Sequence, residues 1–305
     1  MSQTIVVVGS LNMDFVVQVD KLPLPGETLR GRSFDMLPGG KGANQACAVG
    51  RLGGRCRMVG RVGADSFGHQ LRANLQTAGV DVSGVLTTAN DATGVAFIFV
   101  ERGGQNEIVI APGANGYLRP NDVEAALAGV AGGYLLLQLE SPLETVEAAA
   151  ALGRHIGMKT VLDPAPARPL GPNLLRQVDV LTPNESEALQ LLGGRAGQVS
   201  LSQAEEICRQ LMSLGPHSVI LKLGDKGAWL ANGRQSLHFP ARAVEAVDTT
   251  AAGDTFNGAL AVALAEGKPI HEAIGFANLA ASLSVTRAGA QTSIPVRDEV
   301  ECLLN

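Results

Sequence analysis

The amino-acid sequence predicts an α/β fold, a doubly wound and mostly parallel sheet flanked by helices, with a small β-sheet lid. Three observations predict it. Short apolar, β-branched runs recur along the chain, as strands buried on both faces of a parallel sheet require. Helical stretches rich in Ala, Leu and Glu alternate with them, which implies βαβ units. Two segments break the alternation and read as antiparallel strand pairs.

The first run is Thr4 to Val8, ending at Gly9. Similar runs follow at Tyr134 to Leu139, Thr160 to Leu162, Val178 to Leu181 and Ser218 to Leu223, with helices over Pro142 to His155 and Ser202 to Leu214 between them. The antiparallel pairs are Phe15 to Asp20 with Thr28 to Met36, and Gly94 to Val100 with Asn106 to Ile110. The polar, Gly-containing segment Glu101 to Gln105 suits the hairpin loop of the second pair. Phe97, Ile98, Phe99 and Val100 put apolar groups on both faces, so the second face is expected to be covered by substrate or a partner subunit. These strands form a lid inserted at about residues 15–37 and 94–111 of one domain spanning residues 1–305. A hairpin (Ala228 to Leu230, Ser236 to Phe239) and two Ala-rich helices, near Gly253 to Ala265 and His271 to Val285, complete the chain.

Composition narrows the function classes. Apolar residues make up 46% of the 305, enough for a buried core without disulfides. The formal net charge of −5 speaks against nucleic acid as a partner. Four dispersed cysteines (Cys47, Cys56, Cys208, Cys302) read as buried thiols in a reducing cytoplasm. The start MSQTIVVVGS lacks a basic region and a long apolar run, and nothing reaches the roughly 18 apolar residues of a membrane span, so a cytoplasmic location is expected. His69, His155, His217, His238 and His271 show no ligand spacing, which argues against structural zinc.

Val247 to Gly258 is the most informative stretch. A strand end meets the small residues Ala251, Ala252 and Gly253, and a helix begins near Gly253. Unpaired N–H groups there attract anions, and small side chains let a phosphate come close. Asp254 falls in the first turn. The residues alone leave two readings open, a carboxylate favoured by the helix dipole or a base that takes a proton from an attacking hydroxyl. Pro38-Gly39-Gly40-Lys41-Gly42-Ala43-Asn44-Gln45 reads by itself as a tight turn and helix start; it is not a Walker A loop, since Asp35 and Gly42 occupy the wrong positions. Gly9 to Asp14 lacks the G-x-G-x-x-G of a dinucleotide fold, which weighs against a nicotinamide oxidoreductase. Asn12, Asp14 and Asn44 offer amide and carboxylate groups suited to a polyol.

Both stretches resemble the signature motifs of the ribokinase (PfkB) family of carbohydrate kinases. The resemblance extends over nearly the whole chain, through Gln138 to Pro142, Asp163 to Ala167, Thr182 to Glu187, Leu223 to Gly227 and Thr286 to Gln291. It lies nearer the family's ribose-phosphorylating members than those acting on adenosine or fructose.

The resemblance implies roles. Asn12, Asp14, Gly40, Lys41, Gly42, Asn44 and Glu140 would hold sugar hydroxyls. Asp254 would deprotonate the 5-hydroxyl of D-ribose as it attacks ATP, and the backbone of Ala251, Ala252 and Gly253 would stabilise the transferring phosphoryl group. Asn184 and Glu187 would organise Mg²⁺ through water, while Gly224, Asp225 and Gly227 line the nucleotide and Asn278 approaches the adenine. Asp248, Thr250, Ser293 and the carbonyls of Ser284, Arg287 and Gly289 would form a K⁺ site. Lys222 stands where relatives often place Thr; it meets ATP phosphates or points to solvent, the latter slightly preferred. Trp229 reads as packing. The resemblance also implies a homodimer joined through the lids. Alternatives are a kinase for 2-deoxyribose, another pentose or a nucleoside, and a non-catalytic sugar sensor.

Overall fold

Residues 3–102 and 106–304 are described by the computed structural model, and they build two sheets of unequal size. In chain order, β1 (Ile5–Val8) leads to β2 (Asn12–Val19), β3 (Ser33–Gly39), α1 (Lys41–Arg51), β4 (Cys56–Gly63), α2 (Ser66–Thr77) and β5 (Asp81–Thr88). Then come β6 (Gly94–Glu101), β7 (Asn106–Ala111), α3 (Pro120–Leu127), β8 (Tyr134–Leu137), α4 (Leu143–His155) and β9 (Lys159–Leu162). They are followed by α5 (Pro172–Leu175), β10 (Val180–Leu181), α6 (Glu185–Leu191), α7 (Leu201–Ser213), β11 (Ser218–Lys222), β12 (Ala228–Asn232) and β13 (Ser236–Phe239). The last helices are α8 (Ala252–Ala265), α9 (Ile270–Ser284) and α10 (Arg297–Glu301).

The larger sheet runs β13-β12-β11-β10-β9-β8-β1-β4-β5. It is parallel from β11 to β5, with β12 and β13 antiparallel at one edge. β1 shows why it is continuously apolar. Ile5 and Val7 join the core made with α1, α8 and α9, whereas Val6 and Val8 join the opposite core beneath α4 and α7. Each strand residue alternates faces, so a strand covered on both sides has no position left for a polar group. The chain leaves β1 for β4 on one side and later returns to β8 on the other. That reversal opens a crevice at the carboxyl ends of β1 and β8, where open α/β sheets bind ligands.

The smaller sheet runs β3-β2-β6-β7, with β2 and β6 parallel and the two outer pairings antiparallel. Both expected strand pairs are present. β2 begins three residues earlier than expected, because its ladder with β6 starts at Asn12 opposite Gly94. Gly103 to Gln105 of the expected hairpin loop lie outside the described residues. One face carries Phe15, whose ring stacks on Phe97 at 5.3 Å and meets Phe67 of α2 edge-on at 5.5 Å. Register places Val16, Ile98, Ile108 and Ile110 on the opposite face, with Asp14. Ile108 and Ile110 are exposed.

β4 and β5 escape the sequence reading because Arg57, Arg61 and several glycines and polar residues interrupt their apolar pattern. The two arginines are satisfied by neighbouring elements instead, Arg57 by Asp81 across the β4–β5 ladder and Arg61 by Asp122 of α3, both at 2.9 Å. Three of the four thiols are buried and free as expected, but Cys302 is exposed, since it follows the short terminal helix α10.

α8 and α1 touch at Gly258, where an added Cβ would stand 2.5 Å from the Ala48 side chain and 2.9 Å from the Gln45 carbonyl. Gly258→Ala is expected to destabilise the fold by about 1–3 kcal/mol through overpacking. A urea midpoint equal to that of the parent would show that the two helices separate at no cost.

Candidate active site

α8 starts at Ala252, one residue before the sequence-predicted start, and its cap residue Ala251 is left-handed (φ 58°). That turn directs the Ala252 N–H to the Thr249 carbonyl at 3.2 Å, while Thr255 makes the first regular helical bond, to Ala251. Among the described residues, the N–H groups of Gly253 and Asp254 have no partner, as expected at a helix start. The small-residue segment therefore leaves the Gly253 and Asp254 N–H groups open, whereas the Ala252 N–H, expected to be open with them, is already taken. These groups face a cavity of about 440 Å³ whose walls include Lys41, Asp163, Asn184, Glu187, Lys222 and Asp254.

Asp254 is buried, and its two oxygens accept hydrogen bonds from Asn44 Nδ2 at 2.9 Å and Gln45 Nε2 at 3.1 Å. Burial pushes its carboxyl up, to about 6; Lys41 opposes the rise, Asp163 adds to it, and the two amides lower it again. Burial weighs against the Lys41 ammonium, but Asp254, Asp163 and Glu140 outweigh it and hold it firmly protonated. The result is a carboxylate withheld from water yet ionised near neutral pH, as a general base must be.

The glycines of the second motif have distinct reasons. A Cβ on Gly39 would fall 2.0 Å from Asp14 Oδ2, and Gly40 has φ 87° with Asn12 N 2.7 Å from its Cβ position. This close approach places Asp14 beside the start of α1. Burial raises Asp14 to about 7, and the neighbouring charges of Glu140 and Asp254 add to the effect. Glu140 accepts from Ser10 Oγ at 2.5 Å and from the Lys41 N–H at 3.1 Å, bridging the loops that follow β8 and β1. Asn12 Oδ1 is taken by Asn115 Nδ2 at 2.8 Å, so its own NH₂ is the group left for a ligand.

On the other side of Asp254, Lys222 does not point to solvent. Its ammonium pairs with Asp163 at 3.1 Å, with only 13% of its side chain exposed, and it lies beside Gly253. The preference for solvent is thus overturned: β11 ends inside the crevice, where Asp163 supplies a counter-charge. Asn184 and Glu187 form a reciprocal cap on α6, with bonds of 2.7 to 2.8 Å. The Glu187 carboxylate still lines the cavity, and oxygen donors of this kind suit magnesium held through water. Gly224 reaches the cavity wall, but Asp225 is exposed elsewhere. Gly227 is buried, 2.1 Å from the Phe239 carbonyl to its Cβ position, and acts as a close-approach residue. Asn278 donates to the carbonyls of Phe239 and Pro240 at 3.0 and 3.4 Å and does not line this cavity. Trp229 is bonded to Ser236 and stacked on His238, a packing role.

Asp248 joins two loops, accepting from Thr250 N and Oγ1 at 2.9 and 2.6 Å and from Gly289 N at 2.9 Å. Burial alone would raise its carboxyl, but these donors hold it below the ordinary value. Arg287 turns its guanidinium away to Glu299, and Ser284 and Ser293 are buried. One carboxylate with hydroxyls and carbonyls is an oxygen-only set that fits a hard monovalent cation.

Sequence reasoning gave no role to Gln45, Asp163, Asn257 or Asn115. Gln45 Nε2 spans Asp254 and Asp163, and Asn257 donates to Asp163 at 2.9 Å. The available signal was a polar pair, Asn44-Gln45, inside an otherwise apolar buried face of α1, and an Asp closing the apolar strand β9.

Proton abstraction beside an anion site is what phosphoryl transfer to a hydroxyl requires, and the fold and crevice together define a small-molecule kinase. The chain belongs to the pfkB family of carbohydrate kinases, whose profile matches residues 2–297. It is 42% identical over 301 residues to a ribokinase of Haemophilus influenzae, covering 98% of this chain and 97% of that protein. A deoxyribokinase of Salmonella typhi is 36% identical over 293 residues, covering 95% of each. The structure of Arabidopsis thaliana ribokinase complexed with ribose and ATP superposes with a TM-score of 0.90 at 36% identity, covering 100% of this chain and 99% of that one.

Because the Asp254 pKa is raised from the ordinary 3.8 to about 6, its contribution to stability is complete below pH 4 and is lost as pH rises through 6. Asp254→Asn is therefore expected to raise the melting temperature at pH 8 while lowering turnover by about 10²–10⁴-fold. In the parent, kcat should fall as pH drops through 6. Melting curves and pH–rate profiles check both; retained turnover in the variant would remove Asp254 from the base role.

Proposed function

We propose that the protein transfers the γ-phosphoryl group of ATP to the 5-hydroxyl of D-ribose, giving D-ribose 5-phosphate and ADP. The observation that carries this reading is the buried, amide-held carboxylate of Asp254 next to the open N–H groups of Gly253 and itself. Asp254 takes the hydroxyl proton, and the helix N–H groups receive charge on the transferring phosphoryl group. Lys41 and Lys222, which face the same cavity, add positive charge there. Asp14, Asn12, Asn44 and Glu140, with the backbone of Gly40 and Gly42, orient the sugar. Gly224, on the cavity wall, serves the nucleotide.

Asn184 and Glu187 would hold Mg²⁺ through water, and the ion would neutralise charge on the ATP phosphates. K⁺ is assigned to Asp248, Thr250, Ser293 and the carbonyls of Ser284, Arg287 and Gly289. The Asp248 bond to Gly289 supports this, since it already draws the two loops together at the foot of α8. Buried free thiols support a cytoplasmic setting, and among the described residues no helix is long and apolar enough to cross a membrane. Exposed apolar side chains on the lid, Ile108, Ile110, Phe34, Met36 and Phe97, support a homodimer joined lid to lid within a single-domain subunit.

A second reading, 2-deoxyribose as acceptor, is favoured by the likeness to the Salmonella deoxyribokinase. Asp14 and the free Asn12 amide suit a sugar with both ring hydroxyls, and a deoxy sugar would leave buried polar groups unpaired. ADP release measured with Mg·ATP and a panel of pentoses, hexoses and nucleosides, with and without K⁺, should show ribose-dependent turnover stimulated by K⁺. Better turnover of 2-deoxyribose would overturn the assignment of Asp14; no turnover with any acceptor would leave a sugar sensor. Light scattering at micromolar concentration should give a dimer that Ile108→Asp converts to a monomer. A monomeric parent would remove the lid interface.

A further inference from the structure

Asp254 stands at one end of a line of amides that runs away from the substrate side. Asn44 Nδ2 donates to Asp254 Oδ2 at 2.9 Å, Gln291 Nε2 donates to Asn44 Oδ1 at 3.1 Å, and Asn74 Nδ2 donates to Gln291 Oε1 at 2.5 Å. The three amides come from α1, the segment after α9, and α2. Gln291 is only 4% exposed and Asn44 6%, whereas Asn74, partly exposed, borders a separate cavity of about 380 Å³.

The sense of this line is fixed by chemistry. An ionised carboxylate only accepts, so Asn44 must turn its NH₂ toward Asp254 and its oxygen toward Gln291. Gln291 must then present its NH₂ to Asn44 and its oxygen to Asn74. Reversing any one amide would set two acceptors or two donors face to face in a buried space, which costs a hydrogen bond and the desolvation of both groups. Conversely, the line in this sense favours the ionised form of Asp254 over the protonated one. The same Gln291 lies two residues from Ser293 in the loop assigned to K⁺.

We propose that Gln291 is a positioning residue that locks the Asn44 amide toward Asp254, keeping the base ionised and the Asn44 side chain aligned for the sugar. This inference rests on Asp254 being the base. The charged groups near Asp254 are Lys41 from α1, Asp14 from β2, Asp163 after β9 and, beyond Asp163, Lys222 from β11; Arg51 borders the outer cavity by Asn74. None of these is altered by changing Gln291.

The test is the pH dependence of ribose phosphorylation in Gln291→Leu, Gln291→Glu and Asn74→Ala, with Asp254→Asn measured in parallel and melting curves on all four. Gln291→Leu removes the donor to Asn44, so the acid limb of kcat is expected to move up by about one pH unit, a roughly tenfold loss below the limb. Gln291→Glu places an acceptor against Asn44 Oδ1 and should lose more than Leu despite keeping its size and polarity. Asn74→Ala should move the limb the same way by less, and the KM for ATP should stay unchanged in all three. An acid limb that stays put in the folded variants overturns the proposal, as does a loss confined to the KM for sugar. Should Gln291→Leu fail to fold, an unmoved limb in Asn74→Ala overturns it alone. Turnover retained by Asp254→Asn would instead sink the base assignment, whereas a dead Asp254→Asn with unmoved limbs elsewhere sinks only the role of Gln291.

Discussion

A carboxylate removed from water resists ionisation, and the arrangement of this crevice follows from keeping Asp254 charged despite its burial. Three kinds of compensation act together. Asn44 and Gln45 donate to its oxygens, Lys41 places a cation nearby, and the open start of α8 adds the favourable end of its dipole. Each also has an opponent: Asp163 and Asp14 crowd the same space with negative charge. The balance leaves the carboxyl raised to about 6, close enough to neutrality to take a proton and give it up again.

Gln45 keeps the negative charges apart in role as well as in space. Its NH₂ divides between Asp254 and Asp163, and its oxygen accepts from Gln138 at 2.7 Å, so a single amide is held from three directions. Asp163 is further satisfied by Asn257 and Lys222. Asp254 is the less encumbered of the two, with its side-chain bonds confined to α1 and the residue part of the cavity wall. The same geometry ties Lys222 to the crevice rather than to solvent.

How much of this could be read from the sequence depends on range. β1 and β8 announce themselves because strands buried on both faces leave no polar positions, and α8 because small residues precede an Ala-rich helix. β4 and β5 stay hidden because Arg57 and Arg61 satisfy themselves with partners on other elements. Asp254 and Asn44 were legible through motifs, but Asp163, Gln45 and Gln291 were not, since their meaning lies in contacts over 59 to 247 residues. The Asn184–Glu187 pair carries a local meaning, a helix cap, beneath the one that resemblance attaches to it.

The central position of β1 has a consequence for synthesis. Ile5 and Val7 are among the first residues made, yet the helix that covers them with Leu260 and Val262 is among the last. At about 5–20 residues per second, that apolar face waits for tens of seconds on a nascent chain with α1 as its chief cover. The buried Asp254 carboxylate arrives with the same helix. No ribosome-bound fragment ending before α8 can carry Asp254, so the crevice is complete only when the oldest strand is finally sealed.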